Sequence, residues 1–332
     1  MRARLAIDIG GTFTDVVLDY GDLFTTKVLT THGDPAEGVM QGLDKVVADA
    51  GCPMDRVDLV IHGTTLATNA LIERRGAKTA LLTTEGHRDV IEMAFENRFE
   101  QYDVNIDRTE PLVPRALRLP IRERMDAAGR ELIALDTDSV EAAIDTCIAE
   151  GVESVAVGFL HSYANPAHEE AVAAAVRERL PAAAVTLSSE VCPEIREYER
   201  LSTACANGYV LPLMARYLDA LRIRLADAGC DCPYLMMTSG GGLTTFDTAA
   251  RFPIRLVESG PAGGAILASM IAGRWGADRV LSFDMGGTTA KICLIDDGEP
   301  QLSRAFEVDR RYRFKKGSGL PVRIPVIEMV EI

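Results

Sequence analysis

The feature that most constrains this chain is a short pattern written twice. IDIGGTFTDVVLD (Ile7 to Asp19) stands almost at the start, and FDMGGTTAKICLID (Phe283 to Asp296) stands near the other end. In each, a hydrophobic run ends in Asp, reaches Gly-Gly-Thr one residue later and enters a second hydrophobic run, the grammar of strand, turn and strand. Paired glycines let backbone N–H groups approach an anion with no Cβ in the way, and the threonine hydroxyl adds a donor. Each loop therefore reads as a phosphate cradle: Gly10, Gly11 and Thr12 in the first, Gly286, Gly287, Thr288 and Thr289 in the second. A carboxylate beside phosphate is repelled unless it holds a cation, so Asp8 and Asp284 suit a hydrated Mg2+ ion. One copy alone reads equally well as a plain hairpin turn; the repetition favours phosphate. Neither copy is a Walker loop, and a strand on both sides excludes the dinucleotide fingerprint. Two such loops, one per domain, imply a polyphosphate held from both sides.

The 332 residues suffice for two domains, with 47% hydrophobic and 25% charged residues, ordinary for a folded soluble protein. A formal charge of −14 argues against nucleic acid or an acidic membrane as partner, while permitting a local anion site. No apolar run is long enough for a membrane span, and MRARLAIDIGG lacks the features of a signal peptide. The seven cysteines are scattered and odd in number, which reads as reduced thiols in a cytoplasmic protein. Cys230 and Cys232, lacking further ligands, do not suggest a metal site.

Three strands open the chain as a meander, a helix from Asp34-Pro35 stops at Gly51, and DLVIHG returns as a buried strand. KTALLTT, ESVAVGFL and AAVTLSS then alternate with helical segments, the pattern of mixed α/β sheets with flanking helices. Residues 96–135, with Pro111, Pro114 and Pro120, read as a surface insertion, either a lid or a solvated excursion. The expected domains are 1–195, carrying that insertion, and 196–332. Arg196, Glu197, Glu199 and Arg200 follow one another at helical spacing, which suggests either pairing on an exposed face or an interdomain anchor.

These motifs carry a resemblance. The two loops are similar to the phosphate motifs of the actin, sugar-kinase and heat-shock chaperone ATPase superfamily. IHGTTLATNALIERRGAKTALLTTEGHRDV, VAVGFLHSYANPAHE, EIREYERLSTACANGYVLPLM, TSGGGL and ESGPAGGAILA, in that order, resemble the hydantoinase A and oxoprolinase family along nearly the whole chain. The resemblance implies an actin-like two-domain fold and the cofactors ATP and Mg2+. It also implies an ATP-dependent hydrolase that opens a hydantoin or oxoproline by phosphoryl activation, working with a second, B-type subunit. Two alternatives stay open: a ketone carboxylase subunit, as for acetone or acetophenone, and a reactivating chaperone ATPase.

By the same resemblance Glu258 matches an acidic residue that touches a metal-bound water, against a plain helix-dipole role. His62 and Thr64 gain a substrate- or phosphate-facing role, with His62 suited to proton transfer, against a structural strand-end histidine. Asp15 reads equally as facing the site or the solvent. Lys291 stands where an acidic residue is expected, which weakens a metal role there. The family's adenine-holding glycine segment would follow IPVIEMVEI, so the chain is expected to be a fragment with a truncated second domain, inactive in isolation.

Overall fold

In the computed structural model, residues 2–31, 33–95, 98–285, 290–312 and 314–331 are described. Among them, the elements that carry the argument are, in chain order, β1 (Ala3–Ile9), β2 (Phe13–Tyr20), β3 (Asp22–Leu29), α1 (Pro35–Ala50), β4 (Val57–Thr64), α2 (Leu66–Ile72), β5 (Thr79–Thr84), β6 (Arg118–Ile121), α3 (Thr137–Ala149), β7 (Ser154–Gly158), α4 (Ala167–Arg179), β8 (Ala184–Leu187), α5 (Glu197–Asp227), β9 (Tyr234–Met237), β10 (Leu243–Thr245), α6 (Ser259–Arg274), β11 (Arg279–Met285) and β12 (Ala290–Asp296). The chain divides into two compact units. Unit 1 comprises 1–69, 213–304 and 325–332; unit 2 comprises 70–212 and 305–324.

This division does not fall at residue 195. The long helix α5 is shared, and the units part between Pro212 and Leu213, where proline removes a backbone donor from the helix interior. The strand after that helix, β9, then pairs in parallel with β4 instead of opening a new domain.

Unit 1 is built on a six-stranded mixed sheet in the order β10-β9-β4-β1-β2-β3. Alternation along β1 places Ala3, Leu5, Ile7 and Ile9 in the core and leaves Arg4, Ala6 and Asp8 on the other face. The opening meander is as the sequence predicts, and α1 ends at Gly51 with φ of 60°, a left-handed cap that glycine adopts without a Cβ penalty. A separate sheet pairs β11 with β12, and Cys293 and Ile295 pack with Ala262 and Ala265 of α6. The strands that flank both Gly-Gly-Thr segments belong to the same unit, on separate sheets.

Unit 2 has a parallel sheet in the order β8-β7-β5-β6. Every residue of β5 and β7 is buried, which is why TALLTT and SVAVG run apolar or hydroxylated without alternation. The expected insertion at 96–135 is only partly an excursion. Arg118–Ile121 is a sheet strand beside β5, and Val113, Leu117, Ile121 and Met125 belong to the core. Arg200, one of the charges expected on an exposed face or as an anchor, is fully buried.

Candidate functional site

The two hairpins share one register. In the first, Ile9 pairs with Thr14 and Asp8 with Asp15; in the second, Met285 pairs with Ala290 and Asp284 with Lys291. Four residues separate the last pair in each. Gly286, Gly287, Thr288 and Thr289 lie outside the described residues, so the geometry of the second loop rests on its flanking strands.

The first loop is fastened through its carbonyl groups. Gly10 N–H donates to Phe13 O (2.9 Å), Thr30 N–H donates to Thr12 O (2.9 Å), and the Thr30 hydroxyl donates to Gly10 O (3.0 Å). Among the described residues the N–H groups of Gly11 and Thr12 take no such partner, so they are available to an anion. The segment after β4 braces the loop: the N–H and the hydroxyl of Thr65 both donate to Ile9 O, and Asn69 Nδ2 donates to Thr65 Oγ1.

Asp8 sits at the end of β1, beside Asp15 on β2 and Gly63 on β4. Asp8 is exposed, and two glycines lie beside its carboxylate. A Cβ on Gly63 would stand 2.9 Å from Asp8 Oδ1, and one on Gly260, at the start of α6, would stand 3.9 Å from both carboxyl oxygens. Burial raises the Asp8 pKa above the ordinary carboxylate value, Asp15 and Asp284 raise it further, and Lys27 offsets part of this. Lys27 is itself paired with Asp15 at 2.8 Å. A recess that crowds carboxylates and excludes side-chain bulk suits a hard cation carrying most of its own waters. Among the described residues, no group of three or more His, Cys, Asp or Glu could hold a metal ion.

Glu258 joins this site from the helix side. It precedes α6 with φ of 63°, a left-handed conformation uncommon for a non-glycine residue, and its N–H donates to Thr68 Oγ1 (3.2 Å). Its carboxylate does not cap the helix; it forms an ion pair with Lys291, both side chains being largely buried. The departure from an acidic residue at 291 thus supplies the cation that pairs with Glu258. Gly63, Thr65 and Lys291 are the residues given too little weight by sequence reasoning. The alternation of DLVIHGT predicts the orientation of Gly63 only once the pairing of β4 with β1 is known.

His62 does not join the site. In β4 it alternates with Gly63, so it points to the opposite face from Asp8, into the core, with no exposed surface. Nδ1 donates to Ile7 O (3.2 Å), which makes Nε2 the acceptor for the Tyr217 hydroxyl (2.6 Å), and the ring packs against Tyr217 and Phe246. The expectation of a proton-transfer role is corrected accordingly, because both nitrogens are spent on structural partners. Thr64 is likewise buried; its hydroxyl accepts from Leu66 N–H at the start of α2.

Burial lowers the His62 pKa from 6.5 to about 4. Between those values the unfolded chain binds a proton that the folded chain does not, so stability is present above pH 6.5 and is lost as pH falls toward 4. The expected slope from this residue reaches about 1.4 kcal/mol per pH unit. Urea unfolding of the wild type and His62→Phe between pH 4.5 and 7 measures it. The variant is expected to be less stable at pH 7 but flatter in profile, and parallel profiles would contradict the assignment.

A cavity of about 120 Å³ opens within unit 2 between Phe95, Phe99, Tyr198 and Pro321, and none of the candidate residues lines it. No helix among the described residues is long and apolar enough to cross a membrane.

Residues 4–180 match the family model for the hydantoinase/oxoprolinase N-terminal region, and residues 200–332 match the hydantoinase/oxoprolinase model. An uncharacterized protein of Methanocaldococcus jannaschii is 36% identical over 341 aligned residues, spanning 100% of this chain and 50% of that protein. Caprolactamase subunit alpha of Pseudomonas jessenii is 37% identical over 327, with 96% and 46% covered. The crystal structure of the ATP-dependent caprolactamase from Pseudomonas jessenii matches with a TM-score of 0.85 at 34% identity, over 99% of this chain and 48% of that one. The nucleotide-free acetone carboxylase matches with a TM-score of 0.83 at 25% identity, over 99% and 47%. The chain spans about half the length of the curated relatives it matches. The fold is α/β of the actin-like ATPase type, with mixed sheets and flanking helices.

Proposed function

Because this chain belongs to the hydantoinase/oxoprolinase family, we propose that it supplies the ATP-binding site of an enzyme that opens a cyclic amide of hydantoin or oxoproline type. The observation that carries this reading is that Asp8 and Asp284 stand at matching positions in two hairpins of equal register, with Glu258 tied to the second through Lys291 and Gly63 and Gly260 beside the Asp8 carboxylate.

An amide oxygen is a poor leaving group. In the proposed reaction it attacks the γ-phosphorus of ATP, the bond to the bridging oxygen breaks and ADP departs. Water adds to the activated carbon, the ring C–N bond breaks to leave an acyl phosphate and an amine, and a second water releases phosphate. The N–H groups of Gly11 and Thr12 hold phosphate oxygens, and Glu258 orients a water beside them. Mg2+, held through Asp8, Asp284 and water, would neutralise charge on the moving phosphoryl group. A second subunit is part of this reading, since the similar caprolactamase, acetophenone carboxylase and acetone carboxylase chains are named as subunits.

The test is phosphate release from MgATP by the native assembly, with hydantoin, 5-oxoproline, caprolactam, or acetone plus bicarbonate as the second substrate. Release stimulated by a cyclic amide, together with the ring-opened product, is expected. Stimulation only by ketone with bicarbonate favours the carboxylase reading, and stimulation only by a protein partner favours the chaperone.

A further inference from the structure

The Glu258–Lys291 pair is placed oddly for a structural salt bridge. Its side chains are 12% and 16% exposed, so both ions have left most of their water, and such a pair gains little over apolar packing. Glu258 adopts a left-handed backbone to present its carboxylate, a strain of the kind kept at functional sites. Lys291 stands directly across β11–β12 from Asp284 and immediately follows Ala290, the first described residue beyond the second loop. In the first hairpin the corresponding position is Asp15, whose partner Lys27 comes from the next strand. The first hairpin thus keeps its cation one strand away from the loop, and the second keeps it on the strand leaving the loop.

Resting on the nucleotide reading above, we propose that Lys291 is a nucleotide-responsive cation with two successive partners. Without nucleotide its ammonium holds Glu258 and cancels a buried negative charge that would repel an incoming polyphosphate. A bound polyphosphate draws the ammonium to its own oxygens, and Glu258 is released to act on water. The same residue therefore admits the anion and, once the anion is seated, frees the carboxylate.

Calorimetric titration with MgAMP-PNP and phosphate release from MgATP test this on the purified native assembly. Lys291→Met is expected to weaken MgAMP-PNP binding by at least about tenfold, about 1.4 kcal/mol, because it leaves Glu258 uncompensated beside the phosphates. Adding Glu258→Gln to that variant removes the uncompensated charge but not the lost contact between Lys291 and the phosphates, so affinity is expected to recover only in part and to stay at least about threefold below wild type, with turnover at least about tenfold down because the reacting carboxylate is gone. Lys291→Arg keeps the charge and is expected to keep the affinity, which guards against reading misfolding as loss of binding. A merely structural pair predicts full recovery of affinity in the double variant, since two neutral side chains replace a buried ion pair at little cost. Wild-type affinity in the double variant overturns the present proposal alone, whereas a wild type that binds no nucleotide overturns both it and the reading on which it rests.

Discussion

Replacement of Asp8 by asparagine is expected to lower Mg2+-dependent phosphate release by at least about tenfold, roughly 1.4 kcal/mol of barrier, while leaving the chain folded and slightly more stable. The two halves of this expectation have one cause. Asp8 occupies a recess where burial and the nearby charges of Asp15 and Asp284 disfavour its ionised form. With a folded pKa above the unfolded value, its contribution to stability is greatest at low pH and is lost as pH rises through the folded pKa. At neutral pH the carboxylate is therefore a cost to folding, and asparagine of equal size removes it. The same negative charge is what the proposed cation needs, so activity falls as stability rises. Asp284→Asn is expected to lower phosphate release as well.

Gly63→Ala reaches the same carboxylate without changing its charge. The added methyl would stand 2.9 Å from Asp8 Oδ1, so either the carboxylate or the strand must shift. Phosphate-release rates and thermal unfolding of Asp8→Asn, Asp284→Asn and Gly63→Ala decide the matter together. Wild-type rates in both Asp variants would end the metal assignment. A lowered unfolding midpoint in Asp8→Asn would make Asp8 a structural residue instead.

Much of unit 1 was legible because its constraints are local. Alternation in RLAIDI and DVVLDY gives the strands and their inner faces, and Gly51 marks the end of α1 through its left-handed backbone. The two hairpins repeat a local grammar and are found with identical register. What stayed hidden depends on pairing between distant segments. The addition of β9 to β4 sets the boundary of the units, yet no residue in YLMM records its neighbour. His62 read as reactive because a histidine beside Gly-Thr-Thr invites that reading, while its partner Tyr217 lies in the far half of a helix first seen as one element. The exposed-face reading of Arg200 failed for the same reason, since helical spacing shows which residues share a face and not what covers that face.

Arg200→Ala is expected to destabilise unit 2 by about 3–5 kcal/mol, the range for breaking a buried charge network by removing one partner. The guanidinium has no exposed surface and spends its donors on Ser188 Oγ (3.2 Å), Glu194 O (2.9 Å) and Phe159 O (2.9 Å), with the Tyr163 ring 5.4 Å away. Ser188 passes the interaction on: its hydroxyl donates to Glu169 Oε1 (2.6 Å), and Glu169, also fully buried, accepts further from Phe159 N–H, Ser189 N–H and the Ser189 hydroxyl. Truncating Arg200 leaves the Glu194 and Phe159 carbonyls and the Ser188 hydroxyl short of a donor. Lysine cannot replace the planar fork, so Arg200→Lys is expected to recover only a minority of the loss. Ser188→Ala, which cuts the link and keeps both charges, is expected to cost about 1–3 kcal/mol. It provides a readable variant if Arg200→Ala does not fold. Urea unfolding measures all three, and a cycle with Glu169→Gln isolates the coupling. A loss under about 1 kcal/mol for Arg200→Ala would return it to the class of exposed helix charges that its spacing first suggested.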